Sequence, residues 1–328
     1  MSAAFVVAVP IGDPNGIGPE IAIAAAQALA AGSPVRAVLV GDAHVLEHYA
    51  AAVGVALRRW APGAPLSTGA TDTVDMVDVA ALPAEAFRPG DCGPASGAAT
   101  VAYLKAAIEL TASGDAQAIV GCPHHEGAVN ASGTPFQGYP ALLGELTHAE
   151  ADSVILMLEG GGFRIAHVTL HESVVNAVTR VNEAMVVRAA EITLAALARR
   201  GIDKPRLGIF GINPHAGENG LFGHEDEQVT RPAVARLKQA GHRIEGPLGA
   251  DLMLSEDRCD GYVAMFHDQG HIPIKLLAQR ESVAYSLGAD FMFASVGHGS
   301  APDIAGQGKA DHRPLLATLN AIAGNVAA

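Results

Sequence analysis

The sequence predicts an α/β protein whose strands pair mainly in parallel. Short runs rich in β-branched residues alternate with amphipathic stretches, which is the order that produces β–α–β units. Aromatic residues make up only 5% of the 328 residues while 49% are hydrophobic, so alanine, valine, leucine and isoleucine are expected to fill the core. Since a single core stops growing at roughly 250–300 residues, we expect two lobes.

The predicted strands are short apolar runs, each bounded by polar or turn-forming residues. In chain order they are AFVVAVP from Ala4, RAVLVGD from Arg36, AIVGCP from Ala118, SVILML from Ser153, RIAHVTL from Arg164, RLGIFGI from Arg206 and YVAMF from Tyr262. Apolar residues spaced three and four apart predict the helices. These lie near residues 19–31, 97–113, 181–200, 227–240 and 314–325.

Charge and cysteine usage exclude several classes of partner. Acidic residues outnumber basic ones by 34 to 21, and the net charge of −13 repels the phosphates of nucleic acids. Cys92, Cys122 and Cys259 are widely separated, which is typical of a reducing cytoplasm. No run approaches the roughly 18 apolar residues that cross a bilayer, and the N-terminus lacks a basic leader. We therefore expect a cytoplasmic protein without a nucleic-acid or membrane partner.

Polar clusters follow five of the predicted strands. GDPNGIGPE follows AFVVAVP, HHEG follows AIVGCP, HES follows RIAHVTL, NPHAGENG follows RLGIFGI, and HDQGH follows YVAMF. Open α/β sheets bind ligands beyond the carboxyl ends of their strands. The clusters therefore predict one site that is assembled from several loops.

Three histidines, His171, His215 and His267, each lie just past a predicted strand. Neutral imidazole is the commonest metal ligand, and three ligands with an open position suit a catalytic Lewis acid. Each histidine alone could instead hydrogen-bond a loop carbonyl, because separated histidines have no ligand spacing. The residues by themselves leave both interpretations open.

Two glycine-rich turns precede helices. Gly12–Glu20 places Pro19 where a helix begins, and its glycines let backbone N–H groups approach an anion, but it is neither GxGxxG nor a P-loop. The second turn contains His298 and Ser300. For both segments, the geometry of a tight turn is an equally good explanation.

Charged residues flank the HDQGH segment. Lys275, in the apolar stretch IPIKLLA, could clamp a substrate carboxylate or extend into solvent. Asp268 could orient His267 or accept a proton, and Asp251 is a second candidate acceptor.

Taken together, GDPNGIGPE, INPHAGENGLFG, MFHDQGHIPIK and GHGSAPDIAGQGKAD resemble the 4-hydroxythreonine-4-phosphate dehydrogenase (PdxA-like) family over nearly the whole chain. The resemblance implies a two-lobed α/β/α fold like that of isocitrate and isopropylmalate dehydrogenases, with the active site in the cleft between the lobes. It implies a homodimer as well. The lobes would be residues 1–125 with 295–328, and residues 126–294, the second carrying most metal ligands and the dimer contacts.

The resemblance also implies cofactors and roles. A divalent metal would lie on His171, His215 and His267, with zinc as the expected ion and iron, cobalt or magnesium as alternatives. Lys275, Asp251 and Asp268 become the candidate catalytic residues. The residues implied for NAD are Gly12, Asp13, Gly16, His298, Gly299, Ser300, Asp303 and Asp311.

The chain departs from the vitamin B6 enzymes of this family at the residues that hold their substrate phosphate. Glu126 of His125-Glu126-Gly127 stands where they carry lysine, and Gly138–Ala141 replaces Gly-His-Thr-Glu. Near the end, Ala284, Phe293 and Gly297 replace Asn, Arg and Asp. These changes remove charge-assisted donors worth roughly 1.5–3 kcal/mol each.

Apolar groups take the place of those donors. Tyr139, Pro140 and Phe293 would form a flat wall, so the candidate substrate-binding residues are His125, Tyr139, Phe293 and Lys275. This pattern is most similar to the terephthalate dihydrodiol dehydrogenase branch, whose substrate is a cis-dihydroxycyclohexadiene dicarboxylate.

The expected function is an NAD- and metal-dependent oxidative decarboxylation of terephthalate 1,2-cis-dihydrodiol to protocatechuate. The first alternative is 4-hydroxythreonine-4-phosphate dehydrogenase of pyridoxal phosphate biosynthesis or a related phospho-hydroxyacid dehydrogenase. A three-histidine metal hydrolase without nicotinamide and a non-catalytic binding protein are the others.

Overall fold

The structure, a computed structural model, describes residues 5–29, 33–64, 73–255, 259–278 and 281–327. Its strands are β1 (Phe5–Pro10), β2 (Val35–Gly41), β3 (Ala56–Arg59), β4 (Thr73–Asp78), β5 (Ala118–Gly121), β6 (Ile155–Gly160), β7 (Phe163–His167), β8 (Arg206–Phe210), β9 (Arg243–Leu248), β10 (Gly261–Ala264), β11 (Val283–Leu287) and β12 (Met292–Val296). Its helices are α1 (Gly18–Ala28), α2 (Ala43–Val53), α3 (Pro94–Ala112), α4 (Glu126–Ala131), α5 (Tyr139–Leu146), α6 (Val174–Arg180), α7 (Glu183–Arg199), α8 (Arg231–Gln239), α9 (Ala250–Ser255), α10 (His267–Ala278) and α11 (Arg313–Ala327).

The chain divides into two compact units, and the α/β class is confirmed in both. The first contains the described residues up to Phe136 and the segment from Asp290 to Ala327, and the second is Gln137–Ala289. Residues 126–136 are predicted to begin the second lobe, but they lie in the first unit, where α4 packs against α3.

In the first unit the strands follow the order β3-β4-β2-β1-β5-β12, and neighbouring strands are parallel. β1 reads FVVAVP and β5 reads AIVG, and nearly every residue of both is buried. Continuous apolar strands of this kind are typical of the centre of a parallel sheet with both faces covered. The loops after β1 and β5 therefore leave the same edge of the sheet.

In the second unit the order is β11-β6-β7-β10-β8-β9. β7, β10, β8 and β9 pair in parallel, whereas β6 pairs with β11 and β7 in the antiparallel sense. The prediction of parallel pairing is therefore wrong for the contact between β6 and β7. They are joined by Gly161 and Gly162, with φ of 59° and 87°, and a two-residue turn can close only a hairpin.

The five predicted helices are confirmed as α1, α3, α7, α8 and α11. Residues 30 and 31 of the first predicted helix, and Ala4 of the first predicted strand, lie outside the described residues. α10 was missed because its first turn is the polar HDQGH segment and Pro273 lies inside it. In the part of the chain that is described, no helix is long and apolar enough to span a membrane.

Candidate active site

The first turn of α10 carries the HDQGH motif, and its polar side chains are held by specific contacts. Nδ1 of His267 lies 2.7 Å from Oδ1 of Asp268. The amide of Gln269 accepts the backbone N–H of Met265 at 2.9 Å and donates to the carbonyl oxygen of Gly211 at 2.9 Å. Gln269 therefore joins the loop after β10 to the loop after β8, which fixes the place where α10 begins.

His171, in the loop after β7, lies beside His267. Their ring centroids are 5.4 Å apart. Nδ1 of His171 lies 3.2 Å from the carbonyl oxygen of Gln137, and Nδ1 of His215 lies 3.1 Å from Oε2 of Glu218. Since an oxygen without hydrogen can only accept, Nδ1 is the donor in each contact, and the neutral form of each ring, as of His267, has its lone pair on Nε2. All three candidate ligands thus have the tautomer in which Nε2 binds metals.

The structure brings His171 and His267 together but does not join His215 to them. Within the described ranges, no group of three or more histidine, cysteine, aspartate or glutamate side chains is arranged to hold a metal ion. The chemistry of the donors fits a divalent ion such as zinc. The three-histidine site stays a prediction.

His215 lies in a loop of unusual backbone conformation. His215, Ala216, Glu218 and Asn219 all have positive φ, between 44° and 56°. Residues with a Cβ rarely adopt this region, and each instance costs about 1–2 kcal/mol. Such a loop persists only where its surroundings hold it in place.

Asp226 is one group that holds this loop. It is fully buried, and its two carboxylate oxygens accept the backbone N–H groups of Ile212 at 2.8 Å and Asn213 at 2.9 Å. Oδ1 also accepts the hydroxyl of Thr230 at 2.6 Å. These contacts fix the chain directly before His215.

Replacing Asp226 with asparagine is expected to destabilise the protein by about 2–3 kcal/mol, because one backbone N–H would then face an amide N–H. Loosening the His215 loop should also lower kcat/KM by roughly tenfold or more. Denaturant unfolding and steady-state assays measure the two effects. Asp203→Asn, at an exposed aspartate of the same unit, is the control. Equal unfolding midpoints for the two variants would contradict this role of Asp226.

Lys275 lies eight residues after His267 in α10. The two residues are therefore on one face of the helix, about 12 Å apart along its axis. Burial lowers the pKa of Lys275. Asp268 is 79% exposed at its side chain and contacts His267. Asp251 is exposed at the start of α9, where a Cβ on Gly249 would lie 2.7 Å from Oδ1 of Asp251 and 3.6 Å from the backbone nitrogen of His215. Asp268 and Asp251 therefore lie near His267 and His215, respectively, whereas Lys275 lies further along α10.

A cavity of about 570 Å³ opens beside His171 within the second unit. Arg180 lines it, but its guanidinium lies 2.8 Å from both Asp152 and Glu172. The charge of this cation is therefore already matched by two carboxylates of the cavity wall.

In the first unit, the loop after β1 packs against the loop after β12. The backbone N–H of Ile17 donates to the carbonyl oxygen of Ser300 at 2.9 Å, and a Cβ on Gly16 would lie 2.8 Å from Cβ of Ser300. Gly16 and Ser300, both predicted to bind NAD, are therefore neighbours. Asp13 is fully buried and accepts the backbone N–H of Asn15 and the hydroxyl of Ser96, so any role in cofactor binding would be indirect.

Gly12 has a φ of 72°, and a Cβ there would overlap the carbonyl oxygen of Pro123. We expect Gly12→Ala to lower the free energy of unfolding by about 3 kcal/mol, because strain and overlap add. Gly54 has a φ of 69° with open space around it, so Gly54→Ala should cost only about 1 kcal/mol. Denaturant titration compares the two, and equal losses would show that the overlap has no energetic weight.

The remaining residues predicted to bind NAD follow β12. The carboxylate of Asp311 accepts the guanidinium of Arg313 at 2.6 Å and its backbone N–H at 3.0 Å, which places it at the start of α11. His298, Gly299 and Asp303 are exposed. Their roles stay predictions.

The candidate substrate-binding residues differ in exposure. His125 is the N-cap of α4, where Nδ1 accepts the backbone N–H of Ala128 at 3.0 Å, so Nε2 carries the hydrogen of the neutral ring. Tyr139, at the start of α5, is 8% exposed, and Phe293, within β12, is 1% exposed. Both are interior side chains here, and the apolar substrate wall stays a prediction.

The model of the family described as pyridoxal phosphate biosynthetic protein PdxA matches residues 34–322. The chain belongs to the PdxA family. The membership expected from the motifs is confirmed. The chain is 42% identical to the 1,2-dihydroxy-3,5-cyclohexadiene-1,4-dicarboxylate dehydrogenase of Comamonas sp over 314 residues, covering 95% of each protein.

Two solved structures of the PdxA family are also similar. A terephthalate 1,2-cis-dihydrodiol dehydrogenase from Burkholderia xenovorans LB400 is 47% identical, with a TM-score of 0.69 and coverage of 97% of this chain and 99% of that one. A 4-hydroxythreonine-4-phosphate dehydrogenase from Klebsiella pneumoniae is 32% identical, with a TM-score of 0.87 and coverage of 100% and 99%. The names of these PdxA relatives support an oxidoreductase.

Several residues of this PdxA protein that hold the loops in place are not among the residues predicted from the sequence. These side chains hydrogen-bond to residues elsewhere in the chain, so no local pattern marks them. They are Asn15, His167, Asp226 and Gln269.

Proposed function

We propose that this chain is an NAD-dependent, metal-dependent dehydrogenase that oxidises and decarboxylates a cis-dihydrodiol dicarboxylate. The substrate would be 1,2-dihydroxy-3,5-cyclohexadiene-1,4-dicarboxylate and the product protocatechuate. A hydride leaves the secondary alcohol carbon, a proton leaves its oxygen, and CO2 leaves the neighbouring carbon. The electron pair left by CO2 makes the ring aromatic, and the former alcohol oxygen takes up a proton. The ketone formed first is β to a carboxylate, which makes loss of CO2 favourable.

The observation that carries this choice is the sequence identity, which is 42% and 47% to two dihydrodiol dehydrogenases and 32–37% to dehydrogenases of phosphate esters. Glu126 supports it. The carboxylate of Glu126 is exposed at the first residue of α4, where it would repel a phosphate dianion.

The side chains would divide the work as follows. His171, His215 and His267 would hold a divalent metal, which when bound supplies Lewis-acid stabilisation of negative charge on the substrate oxygens. NAD, when bound, accepts the hydride. Lys275 would hold a carboxylate, and its burial favours release of a proton, so it could also act as a proton relay. Asp268 or Asp251 would take the proton of the alcohol.

The test measures NADH formation with the terephthalate cis-dihydrodiol beside 4-hydroxythreonine 4-phosphate and D-threonate 4-phosphate. We expect the dihydrodiol to have the highest kcat/KM, with protocatechuate and CO2 formed in equal amounts to NADH. A preference for either phosphate ester would overturn the proposal. Protein stabilisation by NAD separates a dehydrogenase from a metal hydrolase.

We also infer a homodimer that acts in the cytoplasm on a small dicarboxylate. α10 exposes Leu276 at 81% and Leu277 at 58%, and α6 exposes Val174 at 73% and Val175 at 79%. A second copy would remove these apolar side chains from water. Sedimentation of the purified protein as a monomer at micromolar concentration would contradict this.

A further inference from the structure

Two histidines outside the predicted ligand set form a hydrogen-bonded pair under the first turn of α10. His167 is 1% exposed at the end of β7, and its Nδ1 lies 3.2 Å from the carbonyl oxygen of Leu156. Its Nε2 lies 3.2 Å from Nδ1 of His271. The contact between the two rings therefore joins an N–H of one ring to an unprotonated nitrogen of the other.

The hydrogen bonds of this pair permit only one arrangement of protons. The carbonyl of Leu156 can only accept, so Nδ1 of His167 carries the hydrogen and its Nε2 carries the lone pair. Nδ1 of His271 must then be the donor, and it also lies 3.1 Å from the carbonyl oxygen of His267. The ring of His271 is thereby held both from the interior of the unit and by its own helix.

Gly270 makes the pair possible. A Cβ atom at residue 270 would overlap Nε2 and Cε1 of His167. Glycine is therefore required where His167 passes α10 to reach His271. The last two residues of the HDQGH motif thus make room for His167 and hydrogen-bond to it, although His167 lies 104 residues before His271 in sequence.

His271 in turn supports the ring of His267. The two rings are stacked, with centroids 3.6 Å apart and planes inclined by 11°. The stack fixes the plane of the His267 ring and so keeps its Nδ1 beside Oδ1 of Asp268, the contact that determines which nitrogen is protonated. We propose that His167 and His271 are positioning residues, which hold His267 in the orientation where Nε2 presents its lone pair to a metal ion. This rests on the proposed function, in which His267 is a ligand.

Two variants separate the stack from the hydrogen bond. His271→Asn keeps a donor near the place of Nδ1 but loses the ring. The double variant H167L/H271F keeps a flat ring and replaces the hydrogen-bonded pair with an apolar contact, so no buried nitrogen is left without a partner. His242→Asn, at a histidine elsewhere in the same unit, is the control.

The first measurement needs neither metal nor substrate. Histidine rings are labelled with nitrogen-15, and their NMR signals are recorded near neutral pH without added metal. Unmodified protein should show separate signals for a protonated Nδ1 and an unprotonated Nε2 of His267. In His271→Asn these signals should average between tautomers, whereas in H167L/H271F and His242→Asn they should stay separate.

The second measurement is the affinity for Co2+, followed by its visible absorption. We expect a fall of roughly 10- to 100-fold in His271→Asn and a change within about threefold in the double variant. Separate His267 signals in His271→Asn, or averaged signals in H167L/H271F, would overturn the proposal. If the NMR signals behave as expected but the unmodified protein binds no Co2+, the positioning role holds and the metal-dependent part of the proposed function fails.

Discussion

Replacing His267 with alanine is expected to lower kcat/KM for the dihydrodiol dicarboxylate by roughly a thousandfold while the fold is retained. Lewis-acid stabilisation of developing charge contributes several kcal/mol to catalysis, and each 1.4 kcal/mol is about a factor of ten in rate. The side chain of His267 is 33% exposed at the first residue of α10, so its removal opens no cavity in the core. The loss should therefore appear in activity and in Co2+ affinity rather than in unfolding.

The matched control is His242→Ala, which removes an imidazole from the same unit at a partly exposed site. We expect its kcat/KM to stay within about twofold of the unmodified enzyme, since surface substitutions away from such sites have small effects. Denaturant unfolding of both variants checks that the fold is intact. If His267→Ala kept the kcat/KM of the unmodified enzyme, or lost no more of it than His242→Ala does, His267 would not be a metal ligand.

The class of fold and the neighbourhood of the site could be predicted because both depend on local patterns. Apolar runs such as FVVAVP and AIVG become central parallel strands, and the polar residues that follow them emerge at the ends of those strands. This is why Gly16 and Ser300 meet, and why His171 and His267 meet, although each pair is far apart in sequence. The hairpin of β6 and β7 was mispredicted because Gly161-Gly162 was not recognised as a two-residue turn.

Residues whose function is to hold other residues could not be predicted in the same way. His167 lies in an apolar strand and contacts His271, and Asp226 lies in an acidic stretch that looks like a solvated surface but is fully buried. The role of each depends on a partner that comes close only in the folded chain. Phe293 is a different case: its aromatic ring suggested a substrate wall, and it is 1% exposed within β12, so its place in such a wall stays a prediction.

Replacing Glu126 with lysine is expected to shift substrate preference toward phosphate esters by roughly 10- to 100-fold. Glu126 is exposed at the first residue of α4, directly after His125, whose Nε2 carries the hydrogen of the neutral ring. A lysine would remove one repulsive charge and add one charge-assisted donor, which contributes roughly 1.5–3 kcal/mol toward a dianion. The measured quantity is the ratio of kcat/KM for 4-hydroxythreonine 4-phosphate to that for the dihydrodiol.

The ratio is the informative quantity because both substrates are anions. A phosphate monoester concentrates two negative charges at one end, whereas the dicarboxylate divides them between opposite sides of its ring, so a cation placed at one point favours the ester. Glu47→Lys gives the same change of net charge at an exposed residue of α2 in the same unit. Its effect on the ratio should be small, since exposed charges beyond about 10 Å are screened at ordinary ionic strength. Equal shifts in the two variants would mean that net charge alone sets the preference, and that α4 does not face the substrate.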